Sequence, residues 1–424
     1  DNIAEYKGNL QRRDDSLDIG ESNELLRARD LEKQIIALQE PMAKWFERLK
    51  SENNNTKGDD LRISSNELLD VISKSTQGVL DEDESTEITR VSDLIDRLFS
   101  VVIDEEEDTE DEEQNDCTRI AEILEICIRY RNSPAFALVF DHSLEQPRIT
   151  SHLLDPSLVG KEIFERCRGA ILMSGTLFPP EMYSEVLGVP SKKSSCRIYS
   201  SDFPIANRPV LIANDVTSKF TERETSMSLI GEHVRAVIEN TKGNVAIFAP
   251  SYSMLERVHS DFENLGWSSK RIIKEEQRMS KRRVEGMIST LYEQKDMGGV
   301  AIFGVLNGKL SEGVDYSDNI LDALVCIGLP MAPPSAKQDA LMEYFTDKFD
   351  RSRAWKYVSL QPAVNSVLQA LGRPIRKKED RAIIVLLEKR MLERRVSDCM
   401  PKMMKIQTSK PSRTAERVRS FFEI

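Results

Sequence analysis

The 424-residue chain contains no uninterrupted apolar run long enough to span a bilayer and shows no signal-peptide pattern at its start. These absences give no reason to place it in or across a membrane, and the expectation is an intracellular soluble protein. Its six cysteines, Cys117, Cys127, Cys167, Cys196, Cys326 and Cys399, are too scattered for a CxxC-type ligand set. A disulfide framework or a metal site built from this chain is therefore not expected, and most of the thiols read as reduced core residues. A phosphate-binding P-loop is missing as well. GxxxxGK[ST] needs four residues between its glycines and a hydroxyl after the lysine, whereas 304-GVLNGKL-310 has three and ends in Leu310.

What is present is enough for two or three domains with a sizeable core, at 40% apolar residues. The net charge of −12 is unevenly spread: residues 1 to 120 hold 33 acidic and 15 basic side chains, and the remainder 38 and 44. A split of −18 against +6 suits an acidic module joined to a basic working surface. The run 104-DEEEDTEDEE-113, read as a solvated loop, inflates the first figure.

Up to about residue 130 the pattern is helical. Apolar residues recur at helical spacing in 21–49, 91-VSDLIDRLFSVVI-103 and 118-TRIAEILEICIRY-130, with polar loops between them. From about residue 135 short β-rich runs alternate with helical segments: 136-FALVF-140, 169-GAILMSG-175, 245-VAIFAPS-251, 300-VAIFGVL-306, 323-ALVCIGLP-330 and 382-AIIVLLE-388. Such runs predict a parallel sheet buried on both faces, and hence an α/β domain after a helical module. Ligands of such sheets sit at the carboxyl ends of the strands, which directs attention to the residues after each run.

Three motifs stand there, and a fourth stands just before the run at 382. In 174-SGTL-177, Ser174 and Thr176 could bond a phosphate, a sugar or a neighbouring loop, although an ordinary strand-to-turn exit looks the same. In 249-APSYSMLE-256, Ser251 has the place of an N-cap, and the N–H groups behind it and the adjacent Tyr252 could meet a nucleic-acid phosphate or simply start a helix. In 308-GKLSEGVDYSDN-319, Gly308 and Gly313 permit tight turns while Lys309, Ser311, Glu312 and Asp315 cluster polar chemistry, in a site or in a polar surface loop. Finally 365-NSVLQALGRPIRKKED-380 puts Gln369, Arg373 and Arg376 four and three residues apart around Gly372, which predicts one shared helix face despite Pro374. Guanidinium groups on that face could pair with phosphate oxygens or merely solubilise a helix.

Taken in this order, and joined by 328-GLP-330 and 387-LEKR-390, the motifs resemble the C-terminal half of the XPD-type superfamily 2 DNA helicases, which include the DinG-like and FancJ-like enzymes. The likeness covers about residues 135 to 400. It implies an α/β fold with a RecA-like parallel-sheet motor domain preceded by a mostly helical, Arch-like insertion. The expected domains are 1–134 (Arch-like), 135–180 (the last piece of the first motor domain) and 181–424 (the second motor domain). The resemblance assigns Gln369, Arg373 and Arg376, with Gly372, to the γ-phosphate of ATP. It assigns Glu312, Gly313, Asp315, Ser174 and Thr176 to ATP binding and coupling. Ser251, Tyr252, Lys309, Ser311, Trp355 and Arg390 become DNA contacts. Trp355 lies in 351-RSRAWKYVSL-360, a mixture of cations and aromatics that also suits single-strand binding.

The family's Walker A loop, its DEAH box and the four cysteines of its four-iron four-sulfur cluster are not found in these residues; 81-DEDE-84 and 104-DEEE-107 lack the alanine and histidine. Together with Asp1 in place of an initiator Met, this suits the C-terminal part of a longer helicase, inactive toward ATP by itself. The resemblance implies ATP and Mg²⁺ as cofactors, with the cluster carried elsewhere, and no metal bound by this chain. Its implied partners are single-stranded DNA, the N-terminal motor domain and the subunits of a DNA repair complex, with 5′-to-3′ unwinding. The location would be cytoplasmic in an archaeal member, which the compactness suits, or nuclear in a eukaryotic one. The competing reading is a non-catalytic nucleic-acid-binding scaffold with a motor-like fold.

Overall fold

The computed structural model describes residues 2–17, 20–53, 59–76, 87–101, 115–143, 147–266, 268–403 and 405–423. The acidic runs 81-DEDE-84 and 104-DEEEDTEDEE-113 lie outside the described residues. The chain forms two compact units, one of residues 1–156 with 333–349 and the other of 157–332 with 350–424.

The first unit is mostly helical, as the periodicity predicts, with helices Asn2–Leu17, Asn23–Asn53, Ser65–Thr76, Glu87–Phe99 and Asp116–Tyr130. Their apolar faces meet around Leu94, Leu98, Leu124 and Phe140. The unit also holds a three-stranded sheet of β1 (Asp60–Ile63), β2 (Phe136–Asp141) and β3 (Arg148–Leu153), in that order. Both pairings are antiparallel. The run 136–140 is thus a strand, but not one of the parallel sheet: a six-residue link brings β3 back alongside it, and a connection this short allows only antiparallel pairing. Because β2 pairs with β1 and β3 with β2, the first unit extends to Pro156. Helix Ala336–Lys348 also belongs here, where Lys348 Nζ meets the buried Asp155 carboxylate at 2.7 Å.

The second unit is built on seven strands, β4 (Val210–Ala213), β5 (Val245–Ala249), β6 (Arg271–Lys274), β7 (Val300–Val305), β8 (Ala323–Ile327), β9 (Ile383–Leu387) and β10 (Lys405–Thr408). Their order is β10-β4-β9-β8-β5-β7-β6 and every pairing is parallel. Four of the six runs read as strands are β5, β7, β8 and β9, each buried throughout. Alternate residues feed two cores, Ala246 and Phe248 on one face and Val245, Ile247 and Ala249 on the other. Burial on both faces explains why these strands read as continuous apolar runs. This is the parallel-sheet α/β domain expected after a helical module.

The run 169–175 forms no strand. Ile171 is 85% and Met173 82% exposed. A β-rich sequence is stable as a strand only beside a neighbour that accepts its ladder of hydrogen bonds, and it has none among the described residues.

His233 is fully buried in the second unit, Nδ1 2.9 Å from Thr414 Oγ1 and Nε2 3.2 Å from the Asp215 carboxylate. Burial lowers its pKa below the ordinary value, with Asp215 offsetting part of the effect, and burial likewise lowers that of His259. Groups of depressed pKa contribute stability that is complete above the unfolded value near 6.5 and is lost as the pH falls through the folded values. The urea midpoint of this unit is therefore expected to fall between pH 7.5 and pH 5.5, and the fall should shrink in His233→Asn. A midpoint that holds steady across that interval would contradict this assignment.

Candidate functional site

Because all seven strands run in one direction, the segments that follow them emerge at a single edge of the sheet. These are Thr217 and Ser218 after β4, Ser251 and Tyr252 after β5, Glu275 after β6, the 306–315 loop after β7, Gly328–Pro330 after β8 and Glu388–Arg390 after β9.

The loop after β7 is closed by its own side chains. Ser311, 2% exposed, accepts from the Gly308 N–H at 3.0 Å and donates to the Gly308 carbonyl at 3.2 Å. The buried Tyr316 hydroxyl donates to the Leu310 carbonyl at 2.7 Å. Gly313 takes a left-handed φ of 74°. Beneath the loop lies Glu275, wholly buried, whose carboxylate accepts from Lys309 N–H at 3.0 Å, Val305 N–H at 3.1 Å and the Tyr252 hydroxyl at 3.0 Å. A side chain at Gly308 would come within 2.7 Å of that carboxylate, so the close approach requires glycine. Burial and the adjacent Glu275 carboxylate push the Tyr252 hydroxyl up to about 12, leaving it a firm donor. Glu275 thus ties the APSYS segment to the GKLSEGVD segment. Ser251 caps helix Tyr252–Asn264, accepting from Met254 N–H at 3.2 Å. Lys309 donates its ammonium to the Met279 carbonyl.

The arginines do not share a helix with Gln369. Helix Gln361–Leu371 ends at Gly372, whose N–H reaches the carbonyls of Leu368 and Gln369 at 3.2 Å. Pro374 has no N–H to continue the ladder and disfavours helical backbone at Arg373. Gln369 is exposed in the last helical turn, and Arg373 and Arg376 lie in the turn beyond it. That turn faces the loop after β7. Arg373 Nη1 donates to the Val314 carbonyl at 3.0 Å, and its Nε is buried with no hydrogen-bond partner among the described residues. Arg376 Nε lies 3.4 Å from the exposed Asp315 carboxylate. The N–H groups of Arg376 and Lys377 both donate to Asp380 Oδ2 at 2.7 Å, which fixes the turn. Two guanidinium groups beside a glycine-bearing loop, one with an unanswered buried donor, form an edge suited to an anion. Glu312 and Gly313 are exposed on the same loop.

The remaining residues lie apart from this pair of segments. Ser174 and Thr176 bond each other at 3.1 Å in a local turn. Trp355, at the end of helix Arg351–Trp355, packs one side on the core and carries the Arg395 guanidinium 5.4 Å from its ring centre. Arg390 turns inward, giving two bonds of 2.9 and 2.7 Å to Glu388 and one of 2.9 Å to Ser218 Oγ. Glu388, fully buried, also accepts from Thr217 Oγ1 at 2.7 Å and Ser218 N–H at 2.9 Å. Burial raises its pKa, but the Arg390 guanidinium and these donors outweigh it and hold the carboxyl below the ordinary carboxylate value.

Glu275 and the Thr217–Ser218 pair fall outside the four motifs. Their only signal in the sequence is position, immediately or shortly after a short strand, since the partners that tie them in stand as far as 172 residues away.

Residues 234–407 match the helicase C-terminal domain family, a span running from helix Arg223–Asn240 into β10. The chain is 29% identical over 287 residues to ATP-dependent DNA helicase CHL1 of Candida albicans, an alignment covering 61% of this chain and 33% of the relative. It is 28% identical over 267 residues to the general transcription and DNA repair factor IIH helicase subunit XPD of Schizosaccharomyces pombe, covering 58% and 33%. The alignments span about a third of the length of these curated relatives. A solved XPD helicase structure overlays with 22% identity and a TM-score of 0.47, covering 82% of this chain and 65% of that one. The similarity to XPD-type superfamily 2 helicases expected from the motifs is thus found by sequence comparison.

Proposed function

We propose that this chain, with its helicase C-terminal domain, supplies the second motor domain of an ATP-dependent DNA helicase, together with a helical Arch-like unit. The carrying observation is the meeting of Arg373 and Arg376 with the 308–315 loop, where the Arg373 Nε is buried and unanswered among the described residues. A phosphate oxygen is the natural acceptor for such a donor. In this reading Arg376 and Arg373 face the γ-phosphate, and Gln369 and Gly372 complete that side. Glu312, Gly313 and Asp315 pass the nucleotide state to the strand ends, and Ser174 and Thr176 serve the same coupling. ATP supplies the free energy. Mg²⁺, most of the ATP contacts and any four-iron four-sulfur cluster would belong to polypeptide outside these residues, in keeping with the one-third share of each relative that aligns.

Single-stranded DNA would lie along the carboxyl edge, near Ser251, Tyr252, Lys309 and Trp355. Ser311 and Arg390 would act there by shaping the edge, as would the Ser251 and Tyr252 hydroxyls and the Lys309 ammonium, since all of these polar atoms are engaged within the protein. A 5′-to-3′ direction and a place in DNA repair complete the proposal. The test is ATP hydrolysis by the intact protein with and without single-stranded DNA. DNA-stimulated hydrolysis is expected. DNA binding without turnover would replace the motor with a nucleic-acid-binding scaffold.

A further inference from the structure

A large aromatic side chain stands in water at the same edge of the sheet. Phe220, in the loop between β4 and helix Arg223–Asn240, is 75% exposed, and the Arg223 guanidinium lies over its ring at 4.5 Å from the centroid. The loop that carries it is anchored from below. Ser218 gives its N–H and its hydroxyl to Glu388 at 2.9 Å, and Lys389 N–H donates to the Val216 carbonyl at 2.8 Å. Glu222, two residues after the ring, holds the ammonium groups of Lys219 at 2.9 Å and of Lys389 at 2.6 Å. Each of these two lysines is about half exposed, so a phosphate could reach either one.

Exposing a phenyl ring forgoes the gain of burying it, and this ring, on an anchored loop and paired with a guanidinium, packs against no core among the described residues. It has the makings of a stacking platform: a π-face for a base, a guanidinium backing it, and ammonium groups for the adjoining phosphates. We infer that Phe220, backed by Arg223, stacks a base of single-stranded nucleic acid, and that Glu222 holds Lys219 and Lys389 until the neighbouring phosphates displace it. This extends the strand-end surface to β4, on the far side of β9 from the motif segments, and it rests on the nucleic-acid reading above.

The decisive experiment is equilibrium binding of the 424-residue chain to a labelled twelve-nucleotide deoxythymidine strand and to an abasic strand of equal length. Phe220→Ala and Phe220→Leu are expected to weaken binding of the thymidine strand about 5- to 100-fold, with Phe220→Trp near wild type, while the abasic strand binds all four proteins alike. Glu222→Gln is expected to tighten both strands, because the phosphates no longer have to displace a carboxylate from the two lysines. Unchanged thymidine affinity in Phe220→Ala, or an equal loss on the abasic strand, would overturn the platform. Unchanged affinity in Glu222→Gln would overturn the lysine exchange. Failure of the wild-type chain to bind either strand would remove the nucleic-acid reading itself, an outcome distinct from the loss of the platform alone.

Discussion

Replacing Arg376 by alanine in the intact protein is expected to lower DNA-stimulated ATP turnover by about 10³- to 10⁵-fold while single-stranded DNA affinity changes little. The size follows from phosphoryl-transfer chemistry, in which charge developing on the transferred group is stabilised by a guanidinium positioned in advance, with no cost of reorganisation during reaction. Arg376 is the cleaner of the two positions to change. Its side chain is 41% exposed and only a 3.4 Å contact with an exposed carboxylate would be lost. Arg373, by contrast, also holds the Val314 carbonyl, so Arg373→Ala should lower turnover and loosen the 308–315 loop together. Arg376→Lys should rescue poorly, because an ammonium cannot reproduce the planar two-point contact. Steady-state hydrolysis at saturating DNA, read beside a binding titration, decides it. Turnover within tenfold of wild type would remove Arg376 from the phosphate.

The second large effect concerns stability. Glu388→Ala is expected to destabilise the second unit by about 3 to 5 kcal/mol, measured by urea unfolding, because it strands the Arg390 guanidinium in a site where only 16% of its side chain is exposed. Thr217 Oγ1 and the Ser218 N–H and hydroxyl would lose their acceptor in the same step. Replacing both members of the pair, Glu388→Gln with Arg390→Met, should recover much of the loss, since the larger part of it is the penalty of an unpaired buried charge. The same carboxyl is held below its ordinary value, so its contribution is present above the unfolded carboxylate range and disappears as the pH falls through the lowered value. A loss below about 1 kcal/mol in Glu388→Ala would show the pair to be dispensable.

Glu388 and Arg390 mark the limit of what a motif can show. LEKR is legible as a segment following a buried strand, and in the motif Arg390 reads as an outward contact to DNA. In the folded chain its guanidinium turns back to Glu388 and Ser218. Glu388 stands two residues away in the motif itself, but the second partner, Ser218, is 172 residues away and no local rule supplies it. The arginine segment shows the converse. Pro374 and Gly372 stand in the sequence itself, and the local rules for each end the helix at Leu371, against the expected shared face.

The amino-acid sequence by itself determined the helical module, four of the seven parallel strands and the places of the APSYS and GKLSEGVD segments after two of them. These depend on side-chain periodicity within a few residues and on the rule that parallel strands present their ends at one edge. Only the tertiary structure decided that β2 pairs antiparallel with β1, that 169–175 has no ladder partner among the described residues, and that buried Glu275 ties Tyr252 to Lys309. The physical reason is common to all three. A strand's neighbour and a buried carboxylate's donors are supplied by distant parts of the chain, and burying either without its hydrogen bonds costs more than local preference can offset.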